Sequence, residues 1–250
     1  WTKLAGGILG IGAGLSLGRE GPSIQLGAMA AQGLSRLLGR SRMEERYLLT
    51  SGASAGLAAA FNAPLAGVIF SLEELHHNFS AVVLLPAMAA ALTATAVSQL
   101  IFGSATIFNF LDLPALPLQY FGLIIILGLI LGVFGAIFNY SLINVSKFYQ
   151  LPFFKNTFSR AGFVLILAGI LGFYLPEVLG GGNELIDTIA KKHFPLTIIA
   201  IFLCGKFIFT MLSYGSGVPG GFFLPMLVIG ALAGNLVGTF MVSLGLLNPY

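Results

Sequence analysis

A single carboxylate stands at a glycine-proline break between apolar stretches, in Gly18-Arg19-Glu20-Gly21-Pro22. Proline suits the first turn of a helix and glycine permits the break before it, so we expect a helix to begin here. The start of a helix attracts negative charge, and it would attract the Glu20 carboxylate and a small anion alike. Because both cannot occupy one place, protonation of Glu20 would free the site for the anion, as a gate does. The alternative is an interfacial helix cap in which Glu20 pairs with Arg19.

A second break of the same kind lies 203 residues later, in Gly220-Gly221-Phe222-Phe223-Leu224-Pro225. Aligning Pro22 with Pro225 also matches the small residues that follow, Gly27 with Gly230, Ala28 with Ala231 and Ala30 with Ala233. Apolar segments that are interrupted by Gly and Pro in both halves of a membrane protein point to the substrate site of a transporter. The backbone N–H groups of Phe222 and Phe223 lie at this helix start. We therefore expect main-chain groups from both breaks to bind one anion near the middle of the membrane.

Apolar residues dominate the whole chain and charge is scarce. Hydrophobic residues make up 57% of the 250 residues and charged residues 8%, against about 25% in an ordinary soluble domain. A bilayer core needs about 20 apolar residues per crossing helix. The segments that come near this length are Lys3–Gly18, Ser80–Phe102, Tyr120–Ile143, Gly162–Leu179, Leu196–Leu212 and Pro225–Leu244. Shorter segments at Pro64–Leu75 and Leu48–Phe61 predict partial helices. The expected fold is an all-α, polytopic membrane protein with an inverted-topology repeat and broken or re-entrant helices.

Polar loops are predicted at Gly39–Arg46, Gly103–Pro117, Phe148–Arg160 and Gly180–Pro195. The basic group of Arg36, Arg40, Arg42 and Arg46 places the first loop in the cytoplasm, because short cytoplasmic loops carry an excess of Lys and Arg. Lys147, Lys155 and Arg160 indicate the same for the third loop. That loop divides one expected membrane domain, 1–250, into the rest of a first inverted half, 1–147, and the start of a second, 148–250. The net charge of +3 does not indicate nucleic-acid binding.

Glycines recur at four-residue spacing in two places. The first set is Gly6, Gly10, Gly14 and Gly18, and the second is Gly230, Gly234 and Gly238. Small residues at this spacing make a smooth helix face against which another helix packs closely. We expect these glycines to serve packing alone.

Two acids and one lysine are further candidates for chemistry. Glu73 and Glu74 end the short helix that starts at Pro64, and adjacent helical residues point about 100° apart, so one acid could face the protein interior. The alternative is a pair of ordinary interfacial acids. Lys206 lies inside the apolar run Leu196–Leu212, where a charge is a functional candidate, although it could simply bind carbonyl groups at a helix end.

Enzyme motifs find no support in the sequence. Gly52-Ala53-Ser54-Ala55-Gly56 fits the Gly-x-Ser-x-Gly pattern of hydrolases, but that pattern needs a strand-to-helix turn and a base, whereas this stretch reads as a small-residue helix. No His, Cys and Asp residues have the spacing of metal ligands. We expect a protein that is not an enzyme and needs no cofactor or metal, with the anion as its substrate.

The two breaks resemble the filter signatures of the CLC family of chloride channels and chloride/proton antiporters, Gly-(Arg/Lys)-Glu-Gly-Pro and Gly-x-Phe-x-Pro. The stretches Gly56–Pro64 and Phe70–Glu74 are also similar to this family, and the resemblance covers the chain in order. It implies the central part of a CLC subunit in a multi-pass membrane protein, of the plasma membrane or of the inner membrane in a prokaryote.

The resemblance also implies roles for single residues. Glu20 would be the external gate and proton-transfer glutamate. Phe222 and Phe223, with Arg19–Gly21, would offer backbone amides to chloride. Glu74 would be the internal proton-transfer glutamate, which is typically apolar, commonly valine, in the passive channels of the family, so an antiporter is favoured. Family members are homodimers with one pore per subunit, and the helices near Pro64 and Ser80–Phe102 would contribute to the dimer contact.

Two parts of the family pattern are missing. The first filter motif, Gly-Ser-Gly-x-Pro, is expected before Trp1, because Gly215-Ser216-Gly217-Val218-Pro219 directly precedes the second break and is a different element. The tyrosine of the anion site is expected beyond Tyr250. The alternatives to chloride/proton exchange are a passive, voltage- or pH-gated chloride channel of the same fold, a fluoride or nitrate transporter and, from another class, a structural membrane scaffold without ion flux.

Overall fold

The computed structural model describes residues 2–77, 79–104, 117–154, 156–192 and 194–247. Ten α-helices lie in these ranges: α1 Thr2–Gly12, α2 Glu20–Leu37, α3 Arg42–Phe61, α4 Pro64–Phe70, α5 Ala81–Phe102, α6 Phe121–Phe148, α7 Thr157–Tyr174, α8 Asn183–Lys191, α9 Leu196–Gly215 and α10 Phe223–Ser243. A π-helical turn, Ser71–His76, continues α4. Trp1, Lys155 and Tyr250, which entered the sequence predictions, lie outside the described residues, as does most of the loop predicted at Gly103–Pro117.

Five segments in the described ranges are long and apolar enough to cross a membrane: Ala81–Phe102, Leu118–Phe148, Thr157–Tyr174, Leu196–Gly215 and Phe223–Ser243. These segments confirm five of the predicted spans, with shifted ends. The span predicted at Gly162–Leu179 ends early because Pro176 follows the helix, and proline cannot continue it.

The end predicted for the first span, Gly18, is wrong. Helix α1 ends at Gly12, because Gly14 has φ +85° and turns the backbone out of the helical region. The loop predicted at Gly180–Pro195 is also wrong, since it contains the nine-residue helix α8. This helix buries Leu185, Ile186 and Ile189 on one face and leaves polar residues elsewhere.

The chain divides into two compact units, and the first unites Trp1–Ala5 with Arg19–Ile107. Helices α2 and α3 approach each other closely in this unit because glycines meet at their crossing. A Cβ added to Gly27 would collide with the carbonyl oxygen of Gly52, and one added to Gly56 would collide with that of Ser23. Ser54 and the rest of the small-residue stretch lie inside α3, as the sequence predicted.

The start of α3 lies within the predicted loop Gly39–Arg46, which is therefore shorter than expected. Ser41 caps the helix: its hydroxyl accepts the Glu44 N–H at 3.3 Å, and Glu44 accepts the Ser41 N–H at 2.9 Å. The second bond lowers the pKa of Glu44. Glu45 accepts hydrogen bonds from Gln32 at 2.8 Å and from Arg36 at 3.2 Å, and the Gln32 bond has the larger part in lowering the pKa of Glu45. Arg36, near the end of α2, is thus tied to the first turn of α3 through Glu45.

The second unit unites Gly6–Gly18 with Phe108–Tyr250. Its apolar core is formed by α6 to α10 and by the segment after α1, with Leu15, Leu17, Ile199 and Leu232 fully buried. Tyr149, just after α6, is also buried, and its hydroxyl donates to the Leu212 carbonyl at 2.7 Å. Burial raises the pKa of Tyr149 to about 12.

The glycine faces behave differently in the two helices that carry them. A Cβ on Gly6 would lie 3.0 Å from Pro219, and one on Gly10 would lie 2.5 Å from Val218, so these two glycines do allow close packing. A Cβ on Gly230, Gly234 or Gly238 would meet no atom within 4 Å. Among the described residues nothing packs against this second glycine face, so its packing role stays a prediction.

Gly27→Ala should destabilise the protein, because the new methyl group would force α2 and α3 apart, at a cost of about 1–3 kcal/mol. The matched control is Gly33→Ala in the same helix, where the added Cβ meets nothing within 4 Å and helix propensity should add up to about 1 kcal/mol of stability. Thermal unfolding in detergent measures both. Equal midpoints for the two variants would contradict the glycine crossing.

Candidate functional site

The second break is built into the second unit as a helix start. Helix α10 begins at Phe223, so Pro225 occupies the third position of its first turn, where its missing N–H removes no helical hydrogen bond. Phe222 packs its ring 5.1 Å from that of Tyr214 and 6.4 Å from that of Phe138, by centroids. The main chain at Phe222 and Phe223 thus lies at the positive end of the α10 dipole.

Gly18 and Gly221 exchange both of their backbone hydrogen bonds. The Gly18 N–H donates to the Gly221 carbonyl at 2.7 Å, and the Gly221 N–H donates to the Gly18 carbonyl at 2.8 Å. The pairing is antiparallel, so the two chain segments run in opposite directions where they meet. Each glycine belongs to one of the predicted breaks, which shows that the fold brings the entries to both motifs together.

This contact relates equivalent positions of the sequence repeat. The same offset of 203 residues relates the ends of two helices, two glycines of positive φ, the two paired glycines and the starts of two helices. These pairs are Gly12 and Gly215, Gly14 (φ +85°) and Gly217 (φ +80°), Gly18 and Gly221, and Glu20 and Phe223. The repeat found in the sequence is therefore a structural repeat, and its copies are inverted at the point of contact.

Glu20 lies in the first unit, as the first residue of α2. Its side chain is only 4% exposed, while that of Arg19 is exposed. Ser23 ties the Arg19 carbonyl into the first turn through its N–H at 3.0 Å and its hydroxyl at 2.9 Å. A carboxylate in the first turn of a helix is stabilised in its charged form by the dipole and the N–H groups there. The helix start predicted at Glu20 is present, and the structure shows that the residue is buried.

Glu73 and Glu74 lie in the π-helical turn, and both side chains are exposed in the described chain. The turn is held from its two ends. Ser71 and Leu72 are buried, and His76 contacts α3, with its Nδ1 3.3 Å from the Thr50 hydroxyl and its ring 5.6 Å from that of Tyr47. The backbone that carries the two acids is therefore fixed while their carboxylates stay accessible.

Lys206 is fully buried in α9 and donates to three backbone carbonyl groups. Its Nζ lies 2.9 Å from the Val178 oxygen, 3.4 Å from the Leu179 oxygen and 2.6 Å from the Gly180 oxygen. The sequence left open whether this lysine is functional or binds carbonyl groups at a helix end, and the structure shows the carbonyl contacts. The lysine supports the segment before α8, whose Gly180 N–H donates in turn to the Gly14 carbonyl at 2.8 Å.

Sequence reasoning missed the buried hydroxyl groups of Thr210 and Ser213 on α9, of Ser216 directly after it, and of Ser16 after α1. The signal was present, because Lys206, Thr210 and Ser213 are spaced by four and three residues and so share one helix face. Polar residues that follow this period inside an apolar run mark a face that contacts polar groups of the protein.

Comparison with known proteins places these features in a family. The family model described as voltage gated chloride channel matches residues 1–249. The H(+)/Cl(-) exchange transporter ClcA of Vibrio cholerae serotype O1 is 36% identical over 244 residues, which cover 95% of this chain and 52% of the relative. The protein of the same name from Klebsiella pneumoniae is 33% identical over 251 residues, which cover 97% of this chain and 53% of the relative.

Two solved structures are similar as well. One is a slow cyanobacterial Cl−/H+ antiporter, with a TM-score of 0.88 and 31% identity over 97% of this chain and 58% of that one. The other is a CLC-type fluoride/proton antiporter, with a TM-score of 0.75 and 30% identity over 94% of this chain and 58% of that one. The present chain spans about half the length of the curated relatives it matches.

The spans and the antiparallel pairing of Gly18 with Gly221 define an integral, multi-pass membrane protein with an inverted repeat of broken helices. With the match along nearly its whole length, the chain belongs to the voltage gated chloride channel family, the CLC family of the sequence resemblance.

Lys206→Met should lower the free energy of unfolding by at least about 2 kcal/mol, because it leaves buried carbonyl groups without their charged donor. Lys3→Met is the matched control, since Lys3 is the equivalent residue of the first copy but is exposed and bonded only to the Gln25 side chain among the contacts described, at 2.9 Å. Unfolding in mixed micelles measures the difference. A Lys206→Met protein as stable as the control would contradict the structural role.

Proposed function

We propose that this chain carries the central part of a transporter that exchanges chloride for protons across the membrane, with Glu20 as its gate. The observation that carries the proposal is the reciprocal pairing of Gly18 with Gly221, which joins the entry to the Glu20 motif with the entry to the Phe222 motif. The names of the relatives from Vibrio cholerae and Klebsiella pneumoniae, H(+)/Cl(-) exchange transporter, support the same activity. The proposed activity is transport and not enzymatic catalysis. The anion is proposed as the substrate, and no cofactor is part of the proposal.

The gate rests on competition between two negative charges. Glu20 is buried at the start of α2, where a helix stabilises a carboxylate or a small anion through the same groups. A second negative charge in that position would meet repulsion in a region of low dielectric constant. Protonation removes the charge of Glu20, and the anion then takes the place of the carboxylate. Backbone amides of Arg19, Glu20, Gly21, Phe222 and Phe223 are the proposed anion ligands.

Glu74 is the proposed proton-transfer residue on the opposite, internal side. It is an exposed acid in a turn that is anchored by the buried Ser71 and Leu72, so it has access to water and a fixed backbone. The passive channels of the family typically have an apolar residue there, so the acid favours proton coupling. The alternative is a passive chloride channel. The reversal potential distinguishes the two functions, because that of a channel does not depend on the pH difference.

Chloride is the proposed anion. Both solved structures are of antiporters that exchange a halide for protons. The structure of the chloride/proton antiporter is more similar to this chain, with a TM-score of 0.88, than that of the fluoride/proton antiporter, with 0.75. The passage through helix starts would use main-chain amides, which bind anions by charge and size rather than by one side chain.

A homodimer with one pore per subunit is proposed as the assembly. Apolar side chains are exposed on α4 and α5 of the first unit, among them Leu65, Ile69, Leu85, Leu92 and Leu100. These residues supply the apolar surface that lipid or a second subunit would cover. The family resemblance assigns these two helices to the subunit contact.

In proteoliposomes that contain the full-length protein, the reversal potential under opposed chloride and proton gradients should depend on both gradients. Glu20→Gln imitates the protonated acid, so anion flux should persist while proton movement falls below detection. Glu177→Gln, an exposed acid outside both motifs, is the control and should keep coupling. A wild-type potential that ignores the pH difference would show a passive channel, and proton pumping by Glu20→Gln would exclude Glu20 as the gate.

Glu74→Val should abolish proton movement while chloride still passes, because the internal carboxyl group that carries the proton is gone. Glu73→Val changes the neighbouring exposed acid of the same turn and should leave coupling near the wild-type value. Proton uptake driven by a chloride gradient measures both variants. The assignment would move to Glu73 if the two variants exchanged their phenotypes.

A further inference from the structure

The segment that leads to Gly18 is held by hydroxyl groups of α9. The Ser16 N–H donates to the Ser213 hydroxyl at 3.2 Å, and the Ser16 hydroxyl lies 2.8 Å from that of Thr210. Thr210 donates its own proton to the Lys206 carbonyl at 2.7 Å, so Ser16 supplies the proton of the bond to Thr210. Ser16, Thr210 and Ser213 are all fully buried.

The same face of α9 also orders the segment that leads to Gly221. Ser216, directly after the end of α9, donates its hydroxyl to the Ser213 carbonyl at 2.6 Å and accepts the Val218 N–H at 3.3 Å. One helix thus fixes both irregular segments that meet at Gly18 and Gly221. These segments need side-chain partners because they lack the backbone ladder that a helix provides.

The corresponding contact in the other copy of the repeat has a different chemistry. By the repeat, α1 corresponds to α9, and it contacts the segment before Gly221 through Gly6 and Gly10, which meet Pro219 and Val218. That contact is apolar: the missing side chains of the two glycines leave room for Pro219 and Val218. The backbone of the repeat is therefore symmetrical, but the contacts differ. Hydroxyl groups of a helix distant in sequence bind the segment that continues into Arg19 and Glu20, whereas the segment before Gly221 is bound by the nearby Ser216 and by the apolar contact with α1.

We propose that Thr210 and Ser213 are positioning residues for the Glu20 gate, acting through Ser16. The proposal rests on the proposed exchange of chloride for protons. Glu20 excludes the anion only if the backbone before it stays fixed while the carboxyl group gains and loses its proton. Without the hydroxyl bonds, the segment shifts, the carboxylate no longer blocks the anion path fully, and chloride passes without a proton.

Thr210→Val in the full-length protein tests the proposal, since valine keeps the shape and removes the hydroxyl group. The number of chloride ions moved per proton should rise about fivefold, the factor that corresponds to the loss of one buried hydrogen bond of about 1 kcal/mol. Thr210→Ser should restore the wild-type ratio. The matched control is Thr93→Val in α5, whose hydroxyl makes the same bond to the carbonyl four residues earlier, at 2.7 Å, but is exposed.

Hydrogen exchange of the 13–18 segment, followed by mass spectrometry, gives a second readout that does not depend on transport. Exchange there should be about fivefold faster in Thr210→Val and in Ser16→Ala than in Thr93→Val. If Thr210→Val does not fold, Ser16→Ala and Ser213→Ala carry the test, because each removes a single oxygen atom.

The outcomes separate the two proposals. Unchanged exchange at residues 13–18, or faster exchange with an unchanged chloride-to-proton ratio, overturns the positioning role. A wild-type protein that moves no protons overturns the proposed function instead. A chloride-to-proton ratio that rises in Thr210→Val and stays at the wild-type value in Thr210→Ser supports the positioning role. A general loss of stability would lower the flux without changing this ratio.

Discussion

A buried backbone that leaves the helical conformation must still find partners for its N–H and carbonyl groups. The two irregular segments of this chain solve the problem together, because Gly18 and Gly221 satisfy each other. Everything proposed for the site depends on this pair, since the motifs with Glu20 and Phe222 begin directly after it.

Side chains of α9, and Ser216 directly after it, bind further backbone groups of irregular segments. Lys206, Thr210, Ser213 and Ser216 each bind a segment that is not helical. Helix α9 has the composition of an ordinary apolar span, but the polar side chains on one of its faces form the hydrogen bonds that water would otherwise make to irregular backbone. Among the candidate spans in the described residues, α9 is also the most buried, with 44% of an 18-residue stretch inside the protein.

Much of the architecture followed from the sequence because it depends on local rules. Apolar length predicted the five spans, and the Gly-Pro breaks predicted helix starts close to Glu20 and Phe223. The end of α1 was not predictable from hydropathy, since apolar residues continue beyond it and a single glycine conformation at Gly14 decides it. Helix α8 was missed because its short apolar pattern lies between polar residues. The hydroxyl contacts of Ser16 join residues nearly 200 positions apart, and only the fold shows which partners they meet.

The length of α6 has a mechanical consequence. Its 28 residues extend about 42 Å, whereas the hydrocarbon layer is about 30 Å thick, so the helix must tilt or carry its last turns, with Lys147, into the headgroup layer. A tilt set by hydrophobic mismatch changes with the lipid composition. Phe138 of this helix lies 5.9 Å from the ring of Phe207 and 6.4 Å from that of Phe222. A change in membrane thickness that alters the tilt of α6 would therefore move Phe138 relative to Phe222, the first aromatic residue of the second motif.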